Sequence, residues 1–282
     1  KEGQQPIEDE RYIAGFNGEI FNYLELKKKY FNELSLKSEI ALILELYKKL
    51  NTNFIKTLKG QFAIYIYDKK NKKLLLFRDR MGIRPIYYTL DKKNKSFIFA
   101  SEIKAILQIS KNNHNLSKKA FAQTAMFWTT VGSQTAFEEI SLLPFSHYIE
   151  INHNLKITTQ RYENIFSKNK LYYKEDLYEL LENSVNSQIF GEVGFCSYLS
   201  GGIDSTVIGY LLKKISKKKI DTFSITFQNP EYDESKGQKE ISNFLGSNHH
   251  ELNIKNSDIS ENFYETMKAT ETFLFRTAPV PM

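Results

Sequence analysis

The chain has 282 residues, of which 41% are hydrophobic and 26% charged. That is a globular composition, and the length suits two domains. There is no apolar run of roughly eighteen residues to span a membrane and no leader-peptide pattern; the one cysteine, Cys196, excludes an internal disulfide or a multi-cysteine metal site, and together these point to the cytoplasm. The formal net charge is +6, but the lysines are scattered, as at Lys69–Lys73 and Lys92–Lys95, and the densest run, Lys213–Lys219, closes a helix whose C-terminal end favours positive charge. A solvated surface, without a nucleic-acid or membrane partner, is the expectation.

Over residues 1–165 short apolar runs alternate with turns. Tyr12–Phe16, Gln61–Asp68, Leu74–Arg78, Ile86–Leu90 and Ser96–Ala100 read as strands, and Asp68-Lys69-Lys70-Asn71 and Asp91-Lys92-Lys93-Asn94 as hairpin turns. Helices are expected near 21–31 and 38–50, a third from Ser101 and a fourth capped by Ser117, and the runs at 146–151 and 155–160 look like another hairpin. The pattern is an antiparallel sheet carrying helices, an α+β arrangement. From residue 172 it changes to a helix near 174–190, a strand at 193–199, a helix at 206–215, a strand at 221–227, a helix at 234–245 and a strand at 249–254. This βαβαβ order predicts a parallel, doubly wound sheet. The polar stretch Phe166–Lys170 marks the boundary, so the expected domains are 1–166 and 172–282.

The most informative segment is Leu199-Ser200-Gly201-Gly202-Ile203-Asp204-Ser205, set between an apolar strand and a helical run. Ser200, Gly201 and Gly202 let the backbone turn tightly and aim its N–H groups at one point, to which the following helix adds its positive end. Such a cradle suits phosphate. It is not a Walker A loop, because no lysine follows the glycines; it resembles the pyrophosphate loop of enzymes that split ATP into AMP and pyrophosphate. In parallel sheets ligands bind at the carboxyl ends of strands, where this loop lies. In the first half, Asn17-Gly18-Glu19 is expected to follow a strand and open a helix; Asn17 can offer an amide N–H and Gly18 an unshielded backbone N–H, the two donors an oxyanion hole requires. An ordinary Asn-Gly turn is the alternative.

Taken together, Phe16–Tyr23, Phe77–Tyr88, Phe99–Ala105 and Tyr198–Ser205 resemble the glutamine-dependent asparagine synthetases, in that family's order and spacing. Phe223–Phe227, Glu231–Ser235 and Leu245–Glu251 extend the resemblance over essentially the whole chain. It implies an α+β antiparallel sandwich of the class II, N-terminal-nucleophile amidotransferase type, followed by an α/β parallel-sheet ATP-pyrophosphatase domain. The implied reaction is that of a carbon–nitrogen ligase with glutamine as amide donor: ATP, L-aspartate, L-glutamine and water give L-asparagine, L-glutamate, AMP and pyrophosphate. Activation is needed because a carboxylate is a poor electrophile until its oxygen carries a good leaving group.

By the same resemblance Asn17 and Gly18 match the oxyanion hole, and Glu19 and Glu39 match glutamine-binding positions, Glu39 standing where relatives carry Asp. Leu199, Ser200, Gly201, Gly202, Asp204, Ser205 and Ile225 match the ATP site, with Ile225 lining the adenine pocket and Asp204 helping to hold Mg2+. Small-molecule substrates are implied, and a homodimer is left open. Further departures are Ala41, where relatives usually have Glu, and Gln188, where they often have Arg or His. The adjacent His249 and His250 point to opposite faces of a strand and are not expected to share an ion, and Cys196 reads as a small buried side chain. The family's leading nucleophilic cysteine and its second ATP loop find no match, so the chain is expected to be the middle of a longer protein and inactive alone. Other readings are a paralogue amidating a sugar acid or closing a β-lactam, a non-catalytic remnant, and a tRNA-modifying pyrophosphatase, against which the whole first half stands.

Overall fold

The computed structural model describes residues 3–33, 36–91, 93–165, 176–189, 194–216, 219–231 and 233–281. The chain forms two compact units: residues 1–169 with 271–275, and 170–270 with 276–282. The expected boundary Phe166–Lys170 lies outside the described residues.

The first unit runs β1 (Ile7–Glu8), β2 (Tyr12–Ile20), α1 (Tyr23–Phe31), α2 (Glu39–Leu50), a 3-10 helix (Asn51–Lys56), β3 (Gly60–Asp68), β4 (Lys73–Arg78), β5 (Tyr87–Asp91), β6 (Ser96–Ala100), α3 (Ile103–Ile109), α4 (Lys118–Phe127), β7 (Ser141–Leu142), β8 (His147–Ile151) and β9 (Ile157–Arg161). A six-stranded sheet has the order β1-β2-β3-β4-β8-β9 and a three-stranded sheet the order β6-β5-β7. All pairings are antiparallel.

The apolar runs of β3 and β4 are continuous because both faces of these strands are buried. Phe62, Ile64, Ile66, Leu75 and Phe77 pack beneath α1, α2 and the 3-10 helix. Ala63, Tyr65, Leu74 and Leu76 turn to the other face and meet Ile86, Tyr88, Phe97 and Phe99 around the second sheet. Phe77 lies at the centre of the first layer, stacked on Tyr148 at 5.2 Å and edge-on to Phe54 at 5.1 Å. Truncating such a fully buried phenylalanine costs about 3–5 kcal/mol.

The two expected hairpin turns share one device. Asp68 accepts the Asn71 backbone N–H at 3.0 Å and its side-chain amide at 2.9 Å; Asp91 does the same for Asn94, at 3.0 Å in both bonds. Ser117 caps α4 by accepting the Ala120 N–H at 3.2 Å. The Phe77–Tyr88 stretch is organised by two buried neighbours. Arg78 donates to the carbonyls of Gly82, Leu143 and Arg84, while Asp79 accepts backbone N–H groups from Phe62, Met81, Ile83 and Arg84.

Residues 271–275 join this unit, which local patterning does not reveal. The Glu271 carboxylate accepts the Ile103 and Lys104 N–H groups at the start of α3, both at 2.6 Å. Phe273 and Phe275 meet Phe121 edge-on at 5.3 and 5.1 Å.

The second unit runs α5 (Asp176–Gln188), β10 (Cys196–Tyr198), α6 (Ile203–Ile215), β11 (Asp221–Phe227), α7 (Ser235–Leu245), β12 (Asn248–Ile254) and α8 (Asn256–Thr270). Its sheet is parallel with the order β10-β11-β12. Among the described strands the order is sequential, with no reversal, and α6 and α7 pack against each other and against the sheet. Leu181 and Val185 of α5 pack against Leu211 and Leu212 of α6.

Beneath α7 the sheet is polar. Thr222 Oγ1 and Ser224 Oγ lie 2.9 and 3.0 Å from the two ring nitrogens of His249, and the Asn253 amide donates to Thr226 Oγ1 at 3.0 Å. The opposite face carries Tyr198, Phe223 and Leu252, all exposed.

Candidate functional site

The Leu199–Ser205 segment leaves the C-terminal end of β10 and enters α6. Gly201 takes φ +74°, which glycine alone adopts without strain. The turn is closed by hydroxyls. Ser205 Oγ accepts the Ser200 N–H at 3.2 Å, lies 3.1 Å from Ser200 Oγ, and donates to the Gly202 carbonyl at 3.1 Å; Thr206 Oγ1 donates to the same carbonyl at 2.7 Å. The helix starts at Ile203, three residues earlier than expected, so Asp204 and Ser205 sit in its first turn. The N–H groups of Ile203, Asp204 and Ser205 therefore have no partner within the helix and point outward at its positive end.

Beside this loop lies a cavity of about 870 Å3, lined by Leu199, Ser200, Ser205, Ile225, Glu234 and Gln238 among others, with Ile259 of α8 opposite. Its size is that of a small-ligand site. Leu199 is buried and its N–H donates to the Phe223 carbonyl at 2.8 Å, which leaves its carbonyl for a ligand. Asp204 is exposed and is not among the residues lining the cavity. Asp233 ties the end of β11 to α7: it accepts the Phe227 N–H at 3.2 Å and the Ser235 hydroxyl at 2.6 Å, and the Ser235 bond, above all, holds its carboxyl below the ordinary range.

In the first unit Asn17, Gly18 and Glu19 do not follow a strand. They lie inside β2, opposite Ala63, Phe62 and Gln61. Gly18 has φ +143°, and a Cβ there would stand 2.0 Å from the Gln61 carbonyl oxygen. Asn17 is exposed and lines a cavity of about 320 Å3 with Phe16, Tyr65, Phe99 and Ser101. Glu39, at the start of α2, lies on the other side of the sheet, and its Oε1 accepts the Ile20 N–H at 2.7 Å. Burial raises its carboxyl above the ordinary value, and the charge of Glu19 adds to the rise. Glu19 and Glu39 are thus close enough to interact, while Asn17 opens into the separate cavity.

Residues 1–163 match the family model of the glutamine amidotransferase domain, and residues 176–282 match that of asparagine synthase. The chain belongs to the glutamine amidotransferase family. An archaeal protein of Methanocaldococcus jannaschii, provisionally named asparagine synthetase [glutamine-hydrolyzing] 2, is 32% identical over 270 residues, covering 88% of this chain and 49% of that relative. Asparagine synthetase [glutamine-hydrolyzing] 2 of Bacillus subtilis is 31% identical, over 80% of this chain and 32% of its own length. Asparagine synthetase B [glutamine-hydrolyzing] of Escherichia coli is 25% identical, over 89% and 44%. The chain spans at most about half the length of these curated relatives. A solved amidotransferase structure from B. subtilis superposes at a TM-score of 0.40 with 14% identity, over 88% of this chain and 48% of that one, a likeness too low to bear on fold or ligand.

The resemblance to the glutamine-hydrolysing asparagine synthetases therefore extends over both halves of the chain. Cys196, expected to be buried, is exposed: it lies on the face of the sheet where Tyr198, Phe223 and Leu252 are exposed as well. His249 and His250 do point to opposite faces, His250 reaching Asp221 at 3.0 Å and stacking on Phe223 at 4.8 Å. Among the described residues no group of three or more His, Cys, Asp or Glu is placed to hold a metal, and no helix is long and apolar enough to cross a membrane. Gln188 only closes a turn of α5, its amide donating to the Ser184 carbonyl at 3.2 Å. Sequence reasoning missed Gln238, Asn229 and Ile259 as cavity-lining residues, because nothing in their local pattern distinguishes them from ordinary helix or loop positions.

Proposed function

We propose that this protein is a glutamine-dependent, AMP-forming asparagine synthetase, residues 1–166 handling glutamine and residues 172–282 handling ATP and aspartate. The observation that carries the reading is the hydroxyl-closed Ser200–Ser205 turn, which places free helix N-terminal N–H groups beside a ligand-sized cavity at the C-terminal end of a parallel sheet. In this reading the Ile203–Ser205 N–H groups bind the phosphates, the Leu199 carbonyl and the Ile225 edge meet the base, and the aspartate carboxylate attacks the α-phosphorus, pyrophosphate leaving.

Mg2+ fits as a companion of the nucleotide. Asp204 offers a single carboxylate with no partner among the described residues, which is too few oxygens to hold the ion alone but suits one that brings the triphosphate oxygens with it. When bound, the ion would neutralise charge on the phosphates.

In the first unit the closely placed Glu19 and Glu39 leave an excess of negative charge that the α-ammonium of glutamine would balance. The Asn17 amide and Gly18 N–H would stabilise the oxyanion formed during hydrolysis. The protein functions with small molecules, in the cytoplasm.

The test is pyrophosphate release from ATP by the protein isolated from its source, with glutamine present. Release that requires aspartate supports the assignment. Release that requires a different carboxylic acid transfers it to an amidating paralogue, and no release with any acid removes it.

A further inference from the structure

Helix α8 ends at Thr270, and the chain then joins the first unit for five residues, 271–275, before it returns to the second. Glu271 opens this strap with φ +55°, a left-handed backbone that residues with side chains seldom adopt. Its carboxylate accepts the Ile103 and Lys104 N–H groups, both at 2.6 Å. A helix cannot satisfy these first donors internally, and Glu102, in the capping position, makes no side-chain bond to them. Hydrogen bonds to an ionised acceptor are short and strong, and here they hold Glu271 in its unfavourable backbone state. Phe273 and Phe275 fasten the rest of the strap, both edge-on to Phe121.

The residues that follow are cavity wall. Thr277, Ala278 and Pro281 line the cavity of about 870 Å3 together with Leu199, Ser200 and Ser205. They belong to a turn in which the Val280 N–H donates to the Thr277 carbonyl at 2.9 Å. Among the described residues no backbone hydrogen bond ties residues 277–281 to the parallel sheet or to α6, α7 or α8. The turn therefore takes its place from the chain that leads into it. Thr277 is two residues beyond Phe275, and two residues of extended chain reach at most about 7 Å. Where the strap is fastened thus decides where this wall stands.

We propose that Glu271 is a positioning residue for this cavity: by fastening the strap to the start of α3 it fixes the Thr277–Ala278 wall, so that the cavity meets its nucleotide already shaped. Without the fastening the turn has to be ordered when the ligand binds, and the entropy lost in that ordering is subtracted from the affinity. Glu271 is not among the residues lining the cavity and touches no reacting atom. Its fastening belongs to the first unit and the wall it places belongs to the second. The inference rests on the cavity being a nucleotide site.

The experiment is equilibrium titration of the chain with ATP and Mg2+, for the unaltered protein, Glu271→Gln and Phe121→Ala, with thermal unfolding of each. Glu271→Gln sets an NH2 group against a backbone N–H in place of one carboxylate oxygen. Phe121→Ala removes the ring that Phe273 and Phe275 meet, and neither change touches the cavity. Both variants are expected to bind ATP about five- to tenfold more weakly. A clasp that only caps α3 would lower the unfolding temperature and leave the affinity of the folded protein where it was. An ATP affinity in Glu271→Gln within about twofold of the unaltered chain therefore overturns the inference while leaving the nucleotide site intact. Weakening in Glu271→Gln that Phe121→Ala does not share supports Glu271 and removes the aromatic contacts from the fastening. If Glu271→Gln does not fold, Phe121→Ala decides by the same criterion. If the unaltered chain binds no ATP, the reading of the cavity fails and this inference fails with it.

Discussion

Ser205 Oγ accepts the backbone N–H of Ser200 at 3.2 Å while lying 3.1 Å from the Ser200 hydroxyl, so the first turn of α6 is fastened to the start of the loop that precedes it. One side chain thereby shapes the turn and stands at the cavity wall.

Replacing it separates these roles. Ser205→Ala removes the acceptor for Ser200 and the donor to Gly202, an expected loss of about 1 kcal/mol in stability. Because the turn relaxes, ATP affinity should fall by about tenfold. Thermal unfolding and calorimetric titration measure the two quantities independently; a stability loss at unchanged affinity would restrict Ser205 to shaping the backbone.

Asp79 is the organising carboxylate of the first unit. Oδ1 accepts the Met81 and Ile83 N–H groups at 3.0 Å, and Oδ2 accepts Arg84 at 3.0 Å and Phe62 at 3.2 Å. Asp79→Asn exchanges one of these oxygens for an NH2 group that faces backbone donors. The expected loss is about 3 kcal/mol, read from the urea midpoint. A change below about 1 kcal/mol would show that the loop can satisfy its N–H groups elsewhere.

Acid should weaken the first unit between about pH 4 and pH 2. Burial alone would push the Asp9 carboxyl up, but Lys48 at 2.8 Å and the Tyr12 and Arg11 N–H groups at 2.6 and 2.8 Å hold it down, from 3.8 to about 2. A carboxyl whose folded pKa is depressed stabilises the fold above its unfolded value, and that contribution disappears as the pH falls through the folded value. Asp9 is partly open to water, so the effect is modest. In unfolding scans from pH 7 to pH 2, Asp9→Asn should be less stable than the unaltered chain at pH 7 and differ little from it at pH 2.

Asn17 and Gly18 should part company when mutated. Asn17 is exposed, and its side chain makes no hydrogen bond among the described residues, so Asn17→Ala should change stability by less than about 0.5 kcal/mol. If it supplies an oxyanion donor, glutamine hydrolysis by the protein from its source falls about 100- to 1000-fold. Gly18→Ala places a methyl group against the Gln61 carbonyl at a φ that disfavours any side chain, and should destabilise the fold by about 3 kcal/mol or more. Unchanged hydrolysis in Asn17→Ala would remove Asn17 from the reaction.

Most strands were legible because their signal is local. The continuous apolar run Leu74–Phe77 follows from burial on both faces, and the Asp68 and Asp91 turns follow from side chains bonding their own backbone neighbours. Where the reading failed, a distant partner decided. Asn17-Gly18-Glu19 was expected to follow a strand and open a helix, yet pairing with Gln61–Ala63 carries β2 through to Ile20. Helix α8 was missed although Ile259, Phe263 and Met267 recur every four residues, because its remaining positions are mostly polar and weaken the stripe. Cys196 looked buried from its apolar neighbours, but it lies on a face of the sheet where even Phe223 of the central strand is exposed.

The sequence by itself determined the two kinds of sheet, the turn chemistry and the Ser-Gly-Gly-x-Asp-Ser loop between strand and helix, since each depends on periodicity or on atoms a few residues apart. Only the tertiary structure decided that Glu39 takes the Ile20 N–H, that residues 271–275 return to the first unit, and that Gln238 has one amide atom held by Ile225 and the other left without a partner. These are contacts between groups far apart in the chain, and whether a buried polar atom finds a partner depends on the packing of several elements at once, which no local pattern encodes.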